Sequence, residues 1–428
     1  MSVFQETLKN KTVLITEPME NATSASIGFW FSVGSRYEKE GERGISHFVE
    51  HLLFKGTKTR SAFDIACGFD YIGSLVNAFT DREAVCIHCT VPADKVDFAL
   101  EVFCDMTENS MFNIEDVEKE RSVIESEIIS SEDDPEEAAN DEVCEIFWPN
   151  QSLSQCIAGK VEDISLLTRE HLYAWYEKYI KKGKLTVCVV GKINLPSIIN
   201  RLEKLSTRLE QNEANGRFDT IFPKPQVFRG VTFYKAAFQQ EQVFVLFPVD
   251  NFISFHEQCS WNVFNAIVGD TMSSRLFQRL RENGGFCYNV YSSFNMHSDV
   301  GSWYAYASSN KKDIVEVIAQ LIEEIVKLKT YGITETELAG AKEHLCGEEI
   351  ISSEDTENRS RRLIREYIHN YKHCTTEEII SEIRSITKND VENVIAKILD
   401  FSKMAVVIYG PKVNGKSRKM IEKSLSMW

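Results

Sequence analysis

The chain has 428 residues, 43% of them hydrophobic and 11% aromatic, which is enough apolar material for a large buried core. At about 100–200 residues per domain, this length predicts two domains. The 64 acidic and 48 basic residues give a net charge of −16, which argues against nucleic acid or an anionic membrane as the main partner. Eleven cysteines without a regular spacing indicate reduced thiols, and no apolar run approaches the ~20 residues that span a bilayer. With no export signal near Met1, the sequence predicts a cytoplasmic protein.

The first half of the chain alternates between strand and helix patterns. Short apolar runs or alternating apolar residues predict four strands, over Thr12–Glu17, Ala25–Val33, Glu83–Val91 and Leu185–Gly191. Helical spacing of the apolar residues predicts four helices, over Gly44–Lys55, Asp94–Asn109, Ile114–Ser131 and Thr168–Tyr179.

The second half repeats the first. The heptapeptide Glu-Ile-Ile-Ser-Ser-Glu-Asp occurs at Glu127–Asp133 and again at Glu349–Asp355, 222 residues later. A chance match of this length is improbable, so we expect that one domain was duplicated. The polar stretch Gln211–Gln226 has the composition of a linker. The predicted division is therefore a domain over residues 1–210, a linker over 211–226 and a homologous domain over 227–428.

The motif His-x-x-Glu-His, at His47–His51, is the strongest chemical signal in the sequence. On a helix, residues four apart lie on the same face, so the imidazoles of His47 and His51 can bind one ion. Glu50 falls on that face too, where a carboxylate can act as the general base of a hydrolytic metal site. The order is the inverse of the His-Glu-x-x-His zinc motif.

A hydrolytic zinc site needs a third protein ligand and leaves one position open. The predicted helix Ile114–Ser131 offers three candidates, Glu120, Glu125 and Glu127. Glu120 and Glu127 are seven residues apart and share one helix face. In a helix this acidic, the spacing alone is weak evidence for either residue.

With its surroundings, the motif resembles the inverzincin zinc peptidases, the family of pitrilysin, insulin-degrading enzyme and mitochondrial processing peptidase, and among them the short bacterial-type members. The segments that carry the resemblance cover nearly the whole chain: Val33–Glu38, the His-x-x-Glu-His helix, Asn77–Thr80 with Glu83, Glu120–Ile128, Asp133–Pro135 and Met272–Phe277. The resemblance implies an α+β fold of two homologous domains, each an antiparallel-rich β-sheet with helices packed on one face. The chain departs from the family at Ser126, where a Glu is usual, and at Val268–Asp270, where a Gly-Gly pair is usual.

The resemblance also implies roles for individual residues of the first domain. Glu127 follows His51 by 76 residues, as the third ligand of the family does, so His47, His51 and Glu127 are expected to bind one zinc ion per chain. Glu50 is the expected base, and Glu120 is expected to support catalysis from behind the ligands.

The same resemblance implies four substrate-binding residues. Asn77 and Ala78 match the edge strand that pairs with the substrate backbone. Arg281 and Tyr288 match a pair in the second domain that binds substrate carbonyl oxygens, contributed in short members by the partner subunit. A homodimer enclosing a chamber is therefore expected. The second domain itself is expected to lack metal, because the stretch that repeats the zinc motif, Ala266–Ser273, contains neither His nor Glu.

The predicted function is a zinc-dependent endopeptidase that hydrolyses unfolded or short peptides inside this chamber. Residues 115–145 include 14 acidic and two basic side chains, which leads to the hypothesis that basic peptides are preferred. The alternative is a non-catalytic or partner-dependent subunit of a hetero-oligomeric peptidase. That alternative is disfavoured because the chain retains the complete set of zinc-motif residues.

Overall fold

The structure, a computed structural model, describes residues 3–209, 222–223, 225–250, 254–368 and 372–426. These ranges contain eleven strands: β1 Phe4–Thr7, β2 Val13–Pro18, β3 Ser24–Phe31, β4 Val76–Thr80, β5 Val85–Pro92, β6 Leu185–Gly191, β7 Gly230–Lys235, β8 Gln240–Asp250, β9 Val290–Met296, β10 Val300–Asn310 and β11 Ala405–Gly410. The same ranges contain fifteen α-helices: α1 Ile45–Leu53, α2 Ala62–Tyr71, α3 Val96–Asn109, α4 Ile114–Asp133, α5 Pro135–Phe147, α6 Val161–Leu166, α7 Arg169–Trp175, α8 Leu195–Leu202, α9 Phe255–Asn265, α10 Ile314–Tyr331, α11 Glu335–Ser352, α12 Thr356–Ile368, α13 Thr376–Ser385, α14 Lys388–Ile398 and α15 Gly415–Leu425. Short π-helical segments lie at Tyr176–Lys181, Ala266–Asp270 and Phe277–Glu282.

The first of two compact units consists of Met1–Ser131, Gln155–Ile221 and Ser352–His373. Its sheet has six strands in the order β1-β2-β6-β3-β5-β4. β2 and β6 are parallel, and the other neighbouring pairs run antiparallel. β4 therefore forms one edge of this sheet, and half of its backbone groups point away from β5.

The second unit consists of Glu132–Ser154, Phe222–Ile351 and Cys374–Trp428. Its sheet has five strands in the order β7-β11-β8-β10-β9, of which β7 and β11 are parallel and the other pairs antiparallel. Strand order and direction match those of β2-β6-β3-β5-β4 throughout. β1 has no counterpart among the described strands of the second unit. This agreement supports the duplication inferred from the repeated heptapeptide.

The central strands of the first unit bury a continuous apolar core. All seven residues of β6 are buried, as the apolar run Leu185–Gly191 predicts. On the face covered by α1 and α3, the rings of Phe29 and Phe103 meet edge to face at 5.4 Å, and Phe48 of α1 is fully buried nearby. Truncating an aromatic residue in such a core costs about 3–5 kcal/mol, so this packing holds α1 firmly against the sheet.

Each unit also contains one helix from the opposite half of the chain. α12 belongs to the first unit, where it covers the second face of the sheet in a cluster formed by Val13, Ile15, Cys188, Val190, Leu363, Ile364 and Tyr367. The guanidinium of Arg359 pairs with the buried carboxylate of Glu17 beneath this helix. α5 covers the corresponding face of the second unit, packing against Phe244, Leu246 and Val407. The chain passes between units at the ends of α4 and α11, within the two copies of the repeated heptapeptide.

The predicted α+β fold of two domains, each with an antiparallel-rich sheet, is confirmed. Helices cover both faces of each sheet rather than the one face expected, because α12 and α5 bury the second face. The helix predicted over Gly44–Lys55 spans Ile45–Leu53, and the strand predicted over Glu83–Val91 spans Val85–Pro92. The helix predicted over Thr168–Tyr179 is α7, followed directly by a π-helical segment. Most of the linker predicted over Gln211–Gln226 lies outside the described residues.

Candidate metal centre

Helix α1 carries both histidines of the motif on one face and packs its opposite face into the core. The apolar side chains recur every three or four positions, and all of them are buried: Ile45, Phe48, Val49, Leu52 and Leu53. The rings of His47 and His51 therefore lie next to each other, with their centroids 4.6 Å apart. The helical spacing read from the sequence predicts this arrangement.

The N-terminus of α1 is capped by a side chain that precedes the helix in the chain. Gly44, at the N-cap position, adopts a left-handed conformation with φ of 79° and has no side chain to offer. The carboxylate of Glu38 instead accepts hydrogen bonds from the backbone N–H groups of Gly44 (2.8 Å) and Ser46 (2.9 Å). Burial raises the pKa of Glu38 to about 7, and the hydrogen bonds from Ser46 and Gly44 oppose that rise. No sequence pattern indicates this role for Glu38, although the residue lies in the segment Val33–Glu38.

Glu127 of α4 reaches both histidines. Its Oε2 atom lies 3.3 Å from Nε2 of His51 and 4.0 Å from Nε2 of His47. One potential ligand atom from each of the three residues falls within 4.8 Å of the other two, and no other group of three such side chains in the described part of the chain meets this condition. Glu125, the other open candidate for third ligand, is not in the group.

The donor set fits a zinc ion. Ligand atoms about 2.0–2.1 Å from a tetrahedral centre lie about 3.3 Å from one another. The distance from Glu127 to His51 is 3.3 Å, and the distance from Glu127 to His47 is longer, at 4.0 Å. Burial and the neighbouring His51 lower the pKa of His47 to about 4, so this imidazole is neutral at pH 7 and can bind a metal. Two imidazoles and one carboxylate are also a ligand set found in hydrolytic zinc sites.

Glu120 lies behind this group rather than within it. Its Oε2 atom is 3.2 Å from Nδ1 of His51, and its Oε1 atom is 2.8 Å from Nζ of Lys55. A carboxylate on the Nδ1 side of an imidazole orients the ring and leaves Nε2 for a metal. The geometry thus distinguishes Glu120 from Glu127, which spacing alone left equivalent.

Glu50 lies on the same face of α1 as the two histidines and is 8% exposed. The hydroxyl of Thr80 donates a hydrogen bond of 2.5 Å to its Oε2 atom. Burial raises the pKa of Glu50, and the bond from Thr80 opposes that rise. This contact joins α1 to the edge strand β4, and no sequence pattern predicts it.

The edge strand β4 presents Asn77 and Ala78. Asp81 N–H bonds to the carbonyl of Ala84 at 2.7 Å across the β4–β5 turn, and the antiparallel register then makes Ala78 and Ile87 a non-hydrogen-bonded pair. The N–H and C=O of Ala78 therefore point to the free edge of the sheet. The side-chain oxygen of Asn77 accepts a hydrogen bond from that N–H at 2.9 Å.

Arg281 and Tyr288 lie together in the second unit. The guanidinium carbon of Arg281 is 4.6 Å from the centre of the Tyr288 ring, in the range of a cation–π contact. Tyr288 is 72% exposed and Arg281 is partly exposed, so both side chains are accessible to a ligand in solution. The structure thus brings this pair together within the second unit.

Comparison with known proteins extends these observations. Residues 13–160 match the family model for insulinase, peptidase family M16, and residues 166–345 match that for the peptidase M16 inactive domain. The chain belongs to peptidase family M16. The resemblance drawn from the motifs is therefore confirmed, and the His-x-x-Glu-His motif falls in the half that matches the insulinase model.

Two M16 relatives from bacteria have nearly the same length. The "uncharacterized zinc protease" of Rickettsia felis is 32% identical over 404 residues, covering 94% of this chain and 96% of the relative. The "uncharacterized zinc protease YmxG" of Bacillus subtilis is 32% identical over 409 residues, covering 95% and 98%. Both relatives carry the name zinc protease.

Solved structures share the fold over nearly the whole chain. The peptidase M16 inactive domain from Pseudomonas fluorescens superposes with a TM-score of 0.87 at 17% identity, covering 96% of this chain and 99% of that chain. A protease from Helicobacter pylori superposes with a TM-score of 0.85 at 20% identity, with the same coverage. Within the described residues, no helix is both long and apolar enough to cross a membrane.

Proposed function

We propose that this M16 protein is a zinc-dependent endopeptidase that hydrolyses unfolded or short peptides. The observation that carries the proposal is the convergence of His47, His51 and Glu127 next to the buried carboxylate of Glu50. We propose these three side chains as the ligands of one zinc ion per chain.

Each residue of the site then has a chemical task. Zinc, when bound, would supply a Lewis acid that polarises the peptide carbonyl and makes a water molecule more acidic. Glu50 accepts a proton from the attacking water and delivers it to the nitrogen of the leaving amine. Thr80 holds the Glu50 carboxylate in place, and Glu120 orients the imidazole of His51.

We further propose that the substrate adds as a strand to the free edge of β4. The N–H and C=O of Ala78 point to that edge. In the absence of a peptide, the Ala78 N–H donates a hydrogen bond to the side-chain oxygen of Asn77. Because Thr80 at the end of β4 contacts Glu50, a peptide bound along this edge passes close to the proposed base. Backbone pairing favours extended chains and does not select side chains.

Arg281 and Tyr288 are proposed to bind substrate carbonyl oxygens and to act on the site of the partner subunit in a homodimer. The test is to mix two inactive variants, Glu50→Gln and Arg281→Ala. If the pair acts in trans, mixed dimers combine an intact zinc site with an intact arginine, and about a quarter of wild-type activity returns. Mixtures that stay inactive while the variants exchange subunits would contradict action in trans.

A preference for basic peptides is proposed from the charge of α4, which carries eight acidic and two basic residues and includes Glu127. Such a surface attracts cations, and the attraction weakens as salt rises. The measurement compares kcat/KM for matched basic and acidic peptides at low and high salt. Equal kcat/KM for the basic and the acidic peptide at low salt would contradict this part of the proposal.

The central experiment measures zinc per chain and hydrolysis of a quenched fluorescent basic peptide. Wild type and Glu50→Gln should each hold one zinc, and wild type alone should turn over substrate. Glu127→Gln should lose zinc, whereas the matched control Glu125→Gln on the same helix should keep both zinc and activity, because Glu125 is outside the ligand group. Wild-type protein with neither zinc nor turnover would refute the proposal.

The second candidate function is a non-catalytic or partner-dependent subunit of a hetero-oligomeric peptidase. The match of residues 166–345 to the M16 inactive domain is the observation in its favour. We give it second place because the inactive-domain match covers the half of the chain without the zinc motif. Size-exclusion of the purified protein distinguishes the two: an inactive monomer that gains activity on addition of a partner would favour the second candidate.

We propose a cytoplasmic location, since all eleven cysteines are free thiols.

A further inference from the structure

The ammonium group of Lys55 lies behind the candidate zinc ligand His51 and is not accounted for by the proposed chemistry. Its Nζ atom is 2.8 Å from Oε1 of Glu120, whose other oxygen is 3.2 Å from Nδ1 of His51. Three side chains thus form a chain of contacts from the protein exterior to the imidazole. Lys55 is the outermost of them.

This ion pair differs from an ordinary surface pair in its burial. The Glu120 side chain is 7% exposed and that of Lys55 is 35% exposed. A carboxylate with so little access to water depends on its protein partners for both charge compensation and orientation. With Oε1 bound to Lys55, the other oxygen is directed at His51.

The backbone around Lys55 is also fixed. Lys55 follows His51 by four residues, and its N–H donates to the carbonyl of Leu52 at 3.1 Å, so the turn of α1 continues through it. Two residues later, the buried hydroxyl of Thr57 donates to Asp105 of α3 at 2.6 Å. The ammonium group is therefore held near Glu120 by the fold as well as by its charge.

We propose that Lys55 is a positioning residue for zinc binding and that it acts through Glu120 on His51. The inference rests on the proposed function, because it takes His51 as a zinc ligand. Lys55 fixes the carboxylate of Glu120, Glu120 accepts the Nδ1–H of His51, and Nε2 of His51 is thereby kept free and directed at the ion. Lys55 touches neither the ion nor the substrate.

The test measures the zinc dissociation constant of metal-stripped protein by competition with a chelating dye, without any substrate. Lys55→Met should weaken zinc binding about 10- to 100-fold, the usual effect of removing a group that supports a ligand. Lys55→Arg should restore most of the affinity, because it keeps a cation at the same place. Lys58→Met is the matched control, since Lys58 lies three residues away on the exposed surface and should bind zinc like wild type.

A double-mutant cycle shows whether Lys55 acts through Glu120. In a Glu120→Gln background, Lys55→Met should have little further effect on zinc affinity, whereas additive losses would contradict the proposed route. Substrate kinetics with saturating zinc should show a lower kcat for Lys55→Met with an unchanged KM. If Lys55→Met proves unfolded by circular dichroism, Lys55→Gln, which keeps a polar head group, takes its place.

The outcomes separate this inference from the proposed function. Wild-type protein that binds zinc and cleaves peptide, together with a Lys55→Met variant of wild-type zinc affinity, would overturn the role of Lys55 alone. If wild-type protein binds zinc but cleaves no peptide, and Lys55→Met binds zinc more weakly than wild type, the proposed peptidase activity is wrong and the role of Lys55 stands. Wild-type protein that binds no zinc would overturn both.

Discussion

The hydrogen bond from Thr80 to Glu50 connects the proposed base to the proposed substrate strand, so we expect its removal to slow catalysis without loss of zinc. The two oxygens are 2.5 Å apart, and Glu50 is 8% exposed. Thr80→Val replaces the hydroxyl by a methyl group of similar size, so packing around β4 is retained. The Glu50 carboxylate then loses a donor that little water can replace.

The size of the effect follows from the kind of bond that is lost. A hydrogen bond to a charged group contributes about 1.5–3 kcal/mol. If that stabilisation holds Glu50 where it accepts the proton, kcat/KM falls about 10- to 100-fold at about 1.4 kcal/mol per factor of ten. KM changes little, because Thr80 holds the base through its side chain and does not supply the backbone groups of Ala78.

The assay is hydrolysis of a quenched fluorescent peptide, with zinc content and melting temperature measured on the same samples. Thr80→Ser keeps the hydroxyl and should keep most of the activity. Activity of Thr80→Val equal to that of wild type at equal zinc content would contradict this role of Thr80. Loss of zinc from Thr80→Val, as expected for Glu127→Gln, would contradict it too, because the bond would then support the ligands and not the base.

Three further predictions concern stability. Burial raises the pKa of the Glu241 carboxyl from 4.5 to about 7. Folding therefore takes up a proton between these pH values, and the free energy of unfolding falls as pH rises through them. Glu241→Gln should raise the melting temperature at about pH 8 and leave it unchanged at about pH 4. Arg359→Met leaves the carboxylate of Glu17 buried and unpaired beneath α12, and should lower the free energy of unfolding in urea by about 3–5 kcal/mol. Glu38→Ala removes the acceptor at the N-terminus of α1 and should cost about 1–2 kcal/mol in the same measurement, with weaker zinc binding because both histidines lie on that helix.

The parts of the site that could be predicted from the sequence are those set by local periodicity. The apolar spacing within Gly44–Lys55 determines which face of α1 is buried, and hence that His47 and His51 share the other face. Alternation in Glu83–Val91 likewise determines which side chains of β5 face the core. Both depend on residues that are neighbours in the chain.

The third member of the metal group could not be derived from spacing. Glu120 and Glu127 share one face of α4, so their spacing alone does not indicate which of them lies next to the histidines of α1. In the structure Glu127 reaches Nε2 of His51, whereas Glu120 reaches Nδ1 of the same ring. The resemblance to the M16 family favours Glu127, and the geometry separates the two glutamates independently.

The sequence by itself determined four strands and four helices of the first half, the duplication, and the face of α1 that carries the histidines, because each follows from contacts between residues close in the chain or from direct repetition. Only the tertiary structure decided which side chains complete the site: Glu38 at the start of α1, Thr80 on Glu50, and Lys55 on Glu120. It also decided the exchange of α5 and α12 between the two units. Buried contacts also join residues far apart in the chain, as Glu17 and Arg359 are at 342 positions, and no local pattern indicates which partner a buried charge will have.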